Sequence, residues 1–212
     1  MKQTERIQHF FARLQAANPH PQTELEYTSV FELLAAVLLS AQATDVSVNK
    51  ATRRLFAVAN TPQALLDLGE ARLCEFIRTI GLYRSKARHL LLTCEILLRD
   101  HQGVVPRDRQ ALERLPGVGR KTANVVLNVA FGEPTLAVDT HVFRLGNRTG
   151  FASGNTPLEV EEAWLKVIPA AFLHDAHHWL ILHGRYVCTA RSPQCGACQV
   201  ESFCGFTEKN LD

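Results

Sequence analysis

The chain has 212 residues, and its 23 Lys and Arg against 21 Asp and Glu give a formal net charge of +2. Apolar residues make up 46% and charged residues 21%, which excludes a disordered, collagen-like or low-complexity chain. The length suits one large domain or two small ones, and the near-neutral charge does not by itself indicate binding to nucleic acid.

Most of the chain shows the apolar spacing of an α-helix face, and alternating runs of strand length are scarce. The pattern therefore predicts an all-α protein. The first helix has apolar residues at i, i+3, i+4 and i+7, and Pro19-His20-Pro21 ends it. Further helices are predicted over Phe31–Leu39, Val46–Val58, Pro62–Leu68, Ala71–Thr79, Ser85–Leu98, Asp108–Leu115, Lys121–Phe131, Thr140–Arg148, Pro157–Val167 and His174–His183.

Two breaks divide this helical chain, Pro19-His20-Pro21 and Gly132-Glu133-Pro134, and both are plausible domain boundaries. The segment between them is predicted to form one helical domain, whereas the breaks alone do not establish whether the two ends pair. The most apolar run, Val30–Ala41, is too short to span a bilayer, and the start of the chain lacks an apolar signal core. We therefore expect a cytoplasmic protein.

The turn between residues 115 and 122, with the sequence LPGVGRKT, joins two predicted helices. Gly117 and Gly119 permit a tight turn, and the helix that follows begins with N–H groups that have no partner inside the helix. Those groups and the helix dipole favour an anion such as phosphate. The alternative is a plain helix–helix turn, but the bracketing helices and the following Arg-Lys-Thr favour the phosphate site.

Two residues are candidates for chemistry on a sugar: Lys121 near the end of this turn, and Asp139 further along the chain. Lys121 lies in the first turn of a helix, where the dipole favours the neutral amine that can attack carbon. Its position alone favours an ordinary solvated surface lysine, which describes most lysines. Asp139 directly precedes a predicted helix and is expected to be its N-cap. A capped carboxylate tends to stay ionised, so it can stabilise positive charge that develops on a sugar.

Four of the six cysteines are clustered between residues 188 and 204. Four thiolates in one short loop fit a [4Fe–4S] cluster or a tetrahedral zinc site, and the spacing alone leaves these alternatives nearly balanced. Cys74 and Cys94 stand alone in apolar helices and are predicted to be core residues. The clustered residues are Cys188, Cys195, Cys198 and Cys204.

The sequence LPGVGRKTA resembles the helix–hairpin–helix of a superfamily of DNA-repair glycosylases, in which a Gly/Pro-rich segment and an Asp follow the hairpin. The cysteine spacing is similar to that of the cluster loop of the endonuclease III family. This resemblance implies a six-helix domain over residues 22–133 and a second helical domain over 1–21 and 134–212. It also implies one [4Fe–4S] cluster on the four clustered cysteines, and a monomer.

The resemblance further implies a bifunctional enzyme of base excision repair. Such an enzyme removes oxidised pyrimidines from duplex DNA and then cleaves the strand 3′ to the abasic site by β-elimination. The resemblance assigns Lys121 the role of the amine that forms a Schiff base, and it assigns Asp139 the role of the essential carboxylate. The implied partner is double-stranded DNA with damaged pyrimidines or abasic sites, at the bacterial nucleoid.

In the resembling family, the residue that matches Gln42 fills the space left by a flipped base. Leu82 matches the tip of a loop that wedges the duplex, and Ser40 and Glu113 match positions suited to a proton shuttle. The full set of residues that the resemblance places at the DNA is Gln42, Leu82, Leu115, Gly117, Val118, Gly119, Arg120, Thr122 and His141.

Two alternatives remain beside this assignment. A mismatch-adenine glycosylase of the same superfamily generally lacks the catalytic lysine, which this chain has as Lys121. The other alternative is a non-catalytic DNA-binding module stabilised by zinc. Iron and sulfide analysis distinguishes that module from an iron–sulfur enzyme.

Overall fold

The computed structural model describes residues 2–211. Within this range the regular secondary structure is helical, which confirms the predicted all-α class. No described helix is both long and apolar enough to cross a membrane. The α-helices are α1 (Gln3–Ala17), α2 (Val30–Ser40), α3 (Asp45–Phe56), α4 (Pro62–Ile77), α5 (Tyr83–His101), α6 (Arg109–Glu113), α7 (Arg120–Phe131), α8 (Thr140–Thr149), α9 (Pro157–Val167) and α10 (Leu173–Tyr186).

Short polar side chains determine where most of these helices begin. At six N-caps a Ser, Thr or Asp oxygen accepts a hydrogen bond from a backbone N–H of the first turn, which would otherwise lack a partner. The helices α7 and α8 both end at a glycine with positive φ, a common C-terminal signal. The six N-caps are Ser29, Thr44, Thr61, Asp108, Asp139 and Thr156.

The helix α4 differs from the sequence prediction of two separate helices, Pro62–Leu68 and Ala71–Thr79. The structure has one element, Pro62–Ile77, which Gly69 interrupts with a φ of 76°. Glycine adopts this conformation without a steric penalty, so the chain changes direction at one residue and resumes the helix.

The described residues form two compact units. The central unit comprises Thr23–Gly132 and holds α2 to α7. Its limits differ by one residue from the predicted domain 22–133. Every residue of α2 from Phe31 to Leu39 is buried, and α2 packs against α3, α5 and α7. The helix is almost entirely apolar because it lies in the middle of the other helices of this unit.

The terminal unit comprises the described residues up to Gln22 together with those from Glu133 onward. The apolar face of α1 is buried here, with Phe10 and Phe11 in edge contact with Phe151 and Trp164. The Arg6 guanidinium adds a hydrogen bond of 3.0 Å to the carbonyl of Phe203. The structure thus shows the pairing of the first helix with the last third of the chain, which the sequence breaks left open.

Candidate functional site

A tight turn joins α6 to α7 in the central unit. Gly117 has a φ of +79°, and the Val118 N–H donates to the carbonyl of Leu115 at 3.0 Å. The side chains of Leu115 and Val118 are buried. These two residues can therefore contact a partner outside the protein only through their backbone groups, and the surface of the turn includes Gly117, Gly119 and the half-buried Pro116.

Two residues of α5, Thr93 and His89, contact this turn. The Thr93 hydroxyl donates to the carbonyl of Pro116 at 3.1 Å. A Cβ atom at Gly117 would lie only 3.0 Å from Nδ1 of His89, so the imidazole packs directly on the glycine. The sequence analysis missed both residues; their spacing of four on one helix is the only local signal, and it is common to any helix face.

The turn opens α7 with a glycine N-cap. Gly119 has no side chain to cap the helix, and the backbone N–H groups of a first helical turn have no acceptor inside the helix. Arg120 and Lys121 are exposed there, and Thr122 is half-buried. Backbone donors, the positive end of the helix dipole and two cations together form a surface that suits an anion.

Two further predicted DNA contacts lie in neighbouring loops of the central unit. Gln42 and Leu82 have φ values of 55° and 60°, the left-handed region that few non-glycine residues adopt. A Cβ at Gly81 would lie 3.8 Å from the Gln42 carbonyl oxygen, so the two loops are in contact. The Leu82 side chain is 63% exposed, which is unusual for leucine and suits an inserted wedge.

The candidate proton-shuttle residues are also in the central unit. The Ser40 hydroxyl donates to the carbonyl of Val37 at 2.8 Å, which leaves its oxygen lone pairs as acceptors. Glu113 is the last residue of α6 and is exposed. Neither observation assigns these residues a role, and both remain predictions.

Asp139 is the N-cap of α8 in the terminal unit, as the sequence predicts. Its Oδ1 atom accepts hydrogen bonds from the N–H groups of His141 and Val142, each at 2.8 Å. The His141 Nδ1 atom lies 3.2 Å from Nη2 of Arg144. The second carboxylate oxygen remains for other interactions, because the cap uses Oδ1 alone in both bonds.

The four clustered cysteines line one pocket in the terminal unit. Burial raises the pKa of the Cys198 and Cys204 thiols, and the neighbouring cysteines raise both further. A bound cationic iron–sulfur core would offset the cost of burying these thiolates, since thiols that coordinate a metal lose their protons. The four soft sulfur donors that line this pocket fit an iron–sulfur cluster.

Residues outside the cysteine motif hold this loop. The Arg148 guanidinium donates to the carbonyls of Thr189 and Ala190 at 2.6 and 2.7 Å, and its Nη1 lies 3.5 Å from Sγ of Cys188. Arg144 donates to the Cys188 carbonyl at 3.0 Å. The sequence analysis missed both arginines, although their spacing of one helical turn in α8 was a signal for a shared contact.

The structure thus groups the predicted residues into two sets. The central unit holds the hairpin turn, Lys121, Gln42 and Leu82. The terminal unit holds Asp139, His141 and the four clustered cysteines.

Two family models match the parts of the chain that hold the hairpin, Asp139 and the clustered cysteines. Residues 35–170 match the model of the HhH-GPD superfamily of base excision DNA repair proteins. Residues 188–204 match the model of the iron–sulfur binding domain of endonuclease III. The first match spans the hairpin, Lys121 and Asp139, and the second begins and ends at the outer clustered cysteines.

Individual relatives agree over the whole length. The chain is 62% identical to endonuclease III of Escherichia coli K12, and the match covers 99% of each protein. It is 61% identical to endonuclease III of Haemophilus influenzae, again over 99% of each. A solved structure of a trapped endonuclease III–DNA covalent intermediate superposes with a TM-score of 0.90 at 46% identity, over 97% of both chains.

The chain is therefore a base excision DNA repair protein, and within that class it belongs to the endonuclease III family. It is a DNA-binding enzyme of the glycosylase and abasic-site lyase type, with a [4Fe–4S] cluster as its cofactor. The comparisons favour neither a mismatch-adenine glycosylase nor a zinc-stabilised binding module.

Proposed function

We propose that this protein excises oxidised pyrimidines from duplex DNA and cleaves the strand at the resulting abasic site, with Lys121 as the nucleophile. One observation carries the proposal: the exposed residue Lys121 lies in the first turn of α7, directly after a glycine turn whose backbone and charge suit an anion. Phosphate contacts of this kind position a protein on DNA without reading its sequence. The bound backbone thereby brings a deoxyribose near the amine.

The chemistry begins with extrusion of the damaged base, because an atom inside the duplex is out of reach. The Lys121 amine attacks C1′ of the deoxyribose, and the bond from C1′ to the base breaks. The ring opens to a Schiff base between C1′ and Nζ, which acidifies the C2′ proton. Loss of that proton and departure of the 3′ phosphate cut the strand.

In this mechanism Asp139 acts through charge. Positive charge develops on the sugar as the base departs, and an ionised carboxylate stabilises it. The hydrogen bonds from the His141 and Val142 N–H groups hold the Asp139 carboxylate in place at the start of α8. The cluster, when bound, supplies a fixed charge and a crosslink for the loop of residues 188–204 and takes part in no step.

The protein is proposed to act as a monomer in the cytoplasm, at the nucleoid where its DNA substrate lies. A catalytic set within one chain needs no second copy, which supports the monomer. The relatives of similar length support a chain that performs the whole reaction.

Borohydride trapping tests the mechanism, because it reduces a Schiff base to a stable amine. We expect the protein to be trapped on duplexes that carry an oxidised pyrimidine or an abasic site. Lys121→Ala is expected to give no adduct, whereas the exposed lysine variant Lys50→Ala should trap like the unmodified protein. A set of duplexes with one lesion each measures the substrate preference.

Unchanged trapping by Lys121→Ala would exclude Lys121 as the nucleophile. Excision of an undamaged adenine from a mismatched base pair, with no trapped adduct, would indicate a mismatch-adenine glycosylase instead.

A further inference from the structure

A lysine in the core of the central unit has no part in the mechanism above. The Lys86 side chain on α5 is only 5% exposed, and its Nζ donates to the carbonyl of Leu39 at 2.9 Å. Burial lowers the pKa of Lys86 from its ordinary value of 10.5. Buried lysines without a carboxylate partner are uncommon, because removal of the charge from water is unfavourable.

The acceptor of this hydrogen bond explains where the lysine lies. Leu39 is in the last turn of α2, where carbonyl groups lack helical partners and the dipole is negative. The Ser40 hydroxyl satisfies the Val37 carbonyl, and the Ala43 N–H satisfies that of Ser40 at 3.0 Å. The Lys86 amine donates to the Leu39 carbonyl, so a side chain of α5 supplies a hydrogen bond that the end of α2 would otherwise lack.

The same residue also forms part of the start of α5. The Lys86 N–H donates to the carbonyl of Leu82 at 3.0 Å, in the first turn of α5. Leu82 is the N-cap of that helix and has a positive φ. Gln42 lies two residues after the last residue of α2, just beyond the C-cap Ala41, and it too has a positive φ. Lys86 therefore bonds both to the end of α2, which precedes Gln42, and to Leu82 itself.

We propose that Lys86 is a positioning residue for base extrusion: its bond to Leu39 fixes the Gln42 loop against the Leu82 loop so that both side chains enter the duplex together. The proposal rests on the proposed function, in which Gln42 fills the gap and Leu82 wedges the stack. Left-handed conformations are unfavourable for both residues, so a tether is needed to keep them populated.

The substitution Lys86→Met tests this role, because it keeps the length of the side chain and removes its donor and charge. On a duplex with an oxidised pyrimidine, the single-turnover excision rate is expected to fall roughly tenfold, the scale of one charge-assisted hydrogen bond. On a single strand with an abasic site, which needs no extrusion, the borohydride trapping rate is expected to be unchanged. Lys86→Arg keeps the donors and is expected to retain most of the duplex rate.

Hydrogen exchange provides a readout that does not depend on activity. The Ala43 amide, which bonds to Ser40, is expected to exchange faster in Lys86→Met than in the unmodified protein. The control Lys50→Met removes an exposed lysine of the same unit and is expected to change neither rate nor exchange.

The outcomes separate this proposal from the proposed function. If the unmodified protein is not trapped on any lesion, the proposed function fails, while the exchange measurement still decides whether Lys86 holds the loop. Equal losses of Lys86→Met on both substrates, or no loss on either, overturn the positioning role. If Lys86→Met does not fold, Lys86→Gln, which retains a donor on a shorter side chain, is compared on the same two substrates. Equal losses of rate on the duplex and on the single strand, or no loss on either, then overturn the positioning role of Lys86.

Discussion

Asp139 shows how one side chain can serve both the fold and the chemistry. Its Oδ1 atom accepts two backbone hydrogen bonds that start α8, and the same bonds fix the position of the carboxylate that the proposed mechanism requires. The cap was predictable because it depends only on a short polar residue directly before a helix. The catalytic role was not predictable from the residue alone, since any N-cap aspartate has this environment.

The two tasks of Asp139 can be separated by substitution. Asn is as good an N-cap as Asp, so Asp139→Asn is expected to leave the free energy of unfolding nearly unchanged, whereas Asp139→Ala loses about 1 kcal/mol. Both variants lack the charge, and both are expected to lose base excision by roughly 100-fold or more. Chemical denaturation and single-turnover kinetics measure the two effects.

A matched control for this prediction is Thr156→Ala, which removes the N-cap of α9 in the same unit. It is expected to lose a similar free energy of unfolding and to retain excision. Full activity of Asp139→Asn would show that the carboxylate charge is not needed.

At the scale of elements, the hairpin turn between α6 and α7 owes its shape to contacts with α5. Gly117 has a positive φ, and the His89 ring occupies the space that a Cβ would need. The two glycines were evident in the sequence, and so was the helix start. His89 and Thr93 were not evident, because they reach the turn from a helix that ends well before it, and contacts between distant segments leave no local pattern.

The substitution Gly117→Ala is expected to weaken DNA binding severely, because a Cβ 3.0 Å from the His89 ring displaces the turn and its N–H groups. The positive φ adds roughly 1–2 kcal/mol of destabilisation for any residue with a Cβ. Gly103→Ala is the control: Gly103 has nearly the same φ, +78°, and its nearest neighbour would lie at an ordinary 3.5 Å.

Fluorescence anisotropy with a duplex that carries a stable abasic-site analogue measures the affinity of both variants. Gly103→Ala is expected to share the destabilisation and to bind DNA normally. Equal affinities of the two variants would contradict the role of the turn as a phosphate site.

At the scale of the whole molecule, the charge is unevenly distributed along the sequence. Residues 78–99 and 107–148 carry 12 Lys and Arg against 5 Asp and Glu, a net charge of +7, which leaves −5 for the other residues. The near-neutral total therefore conceals a basic part of the chain that includes the hairpin and Lys121. Such charge attracts phosphate and makes the affinity for DNA fall as salt increases.

Removal of one cluster ligand is expected to affect the terminal unit selectively. Cys198→Ser should lose the visible absorbance, iron and sulfide of the cluster and lower the unfolding temperature, since the loop of residues 188–204 loses its crosslink. The control Cys74→Ala removes a cysteine outside the loop and should retain the iron. Zinc in place of iron and sulfide in the unmodified protein would contradict the assignment of the cofactor.

The helices and the cysteine loop were largely predictable, because each depends on residues close together in the sequence. The bounds of α9 match the prediction, and those of α7 differ by one residue. The pairing of α1 with the segments after Glu133 came only from the family resemblance, because an apolar helix face does not by itself specify its partner. The buried position of Lys86 was not predictable, because its partner on α2 is distant in the sequence.

That pairing governs the order in which the newly made protein matures. A ribosome completes α1 long before it reaches the terminal unit's other helices, at about 5–20 residues per second in general. During this interval the central unit can fold, while Phe10 and Phe11 of α1 have no surface to pack on and remain a target for chaperones. Phe203, which receives the Arg6 hydrogen bond, directly precedes the final cluster ligand. The last hydrogen bond that holds the first helix therefore waits for the stretch of chain that also carries the final cluster ligand, whereas the aromatic contacts of Phe10 and Phe11 with Phe151 and Trp164 need only residues made before that loop.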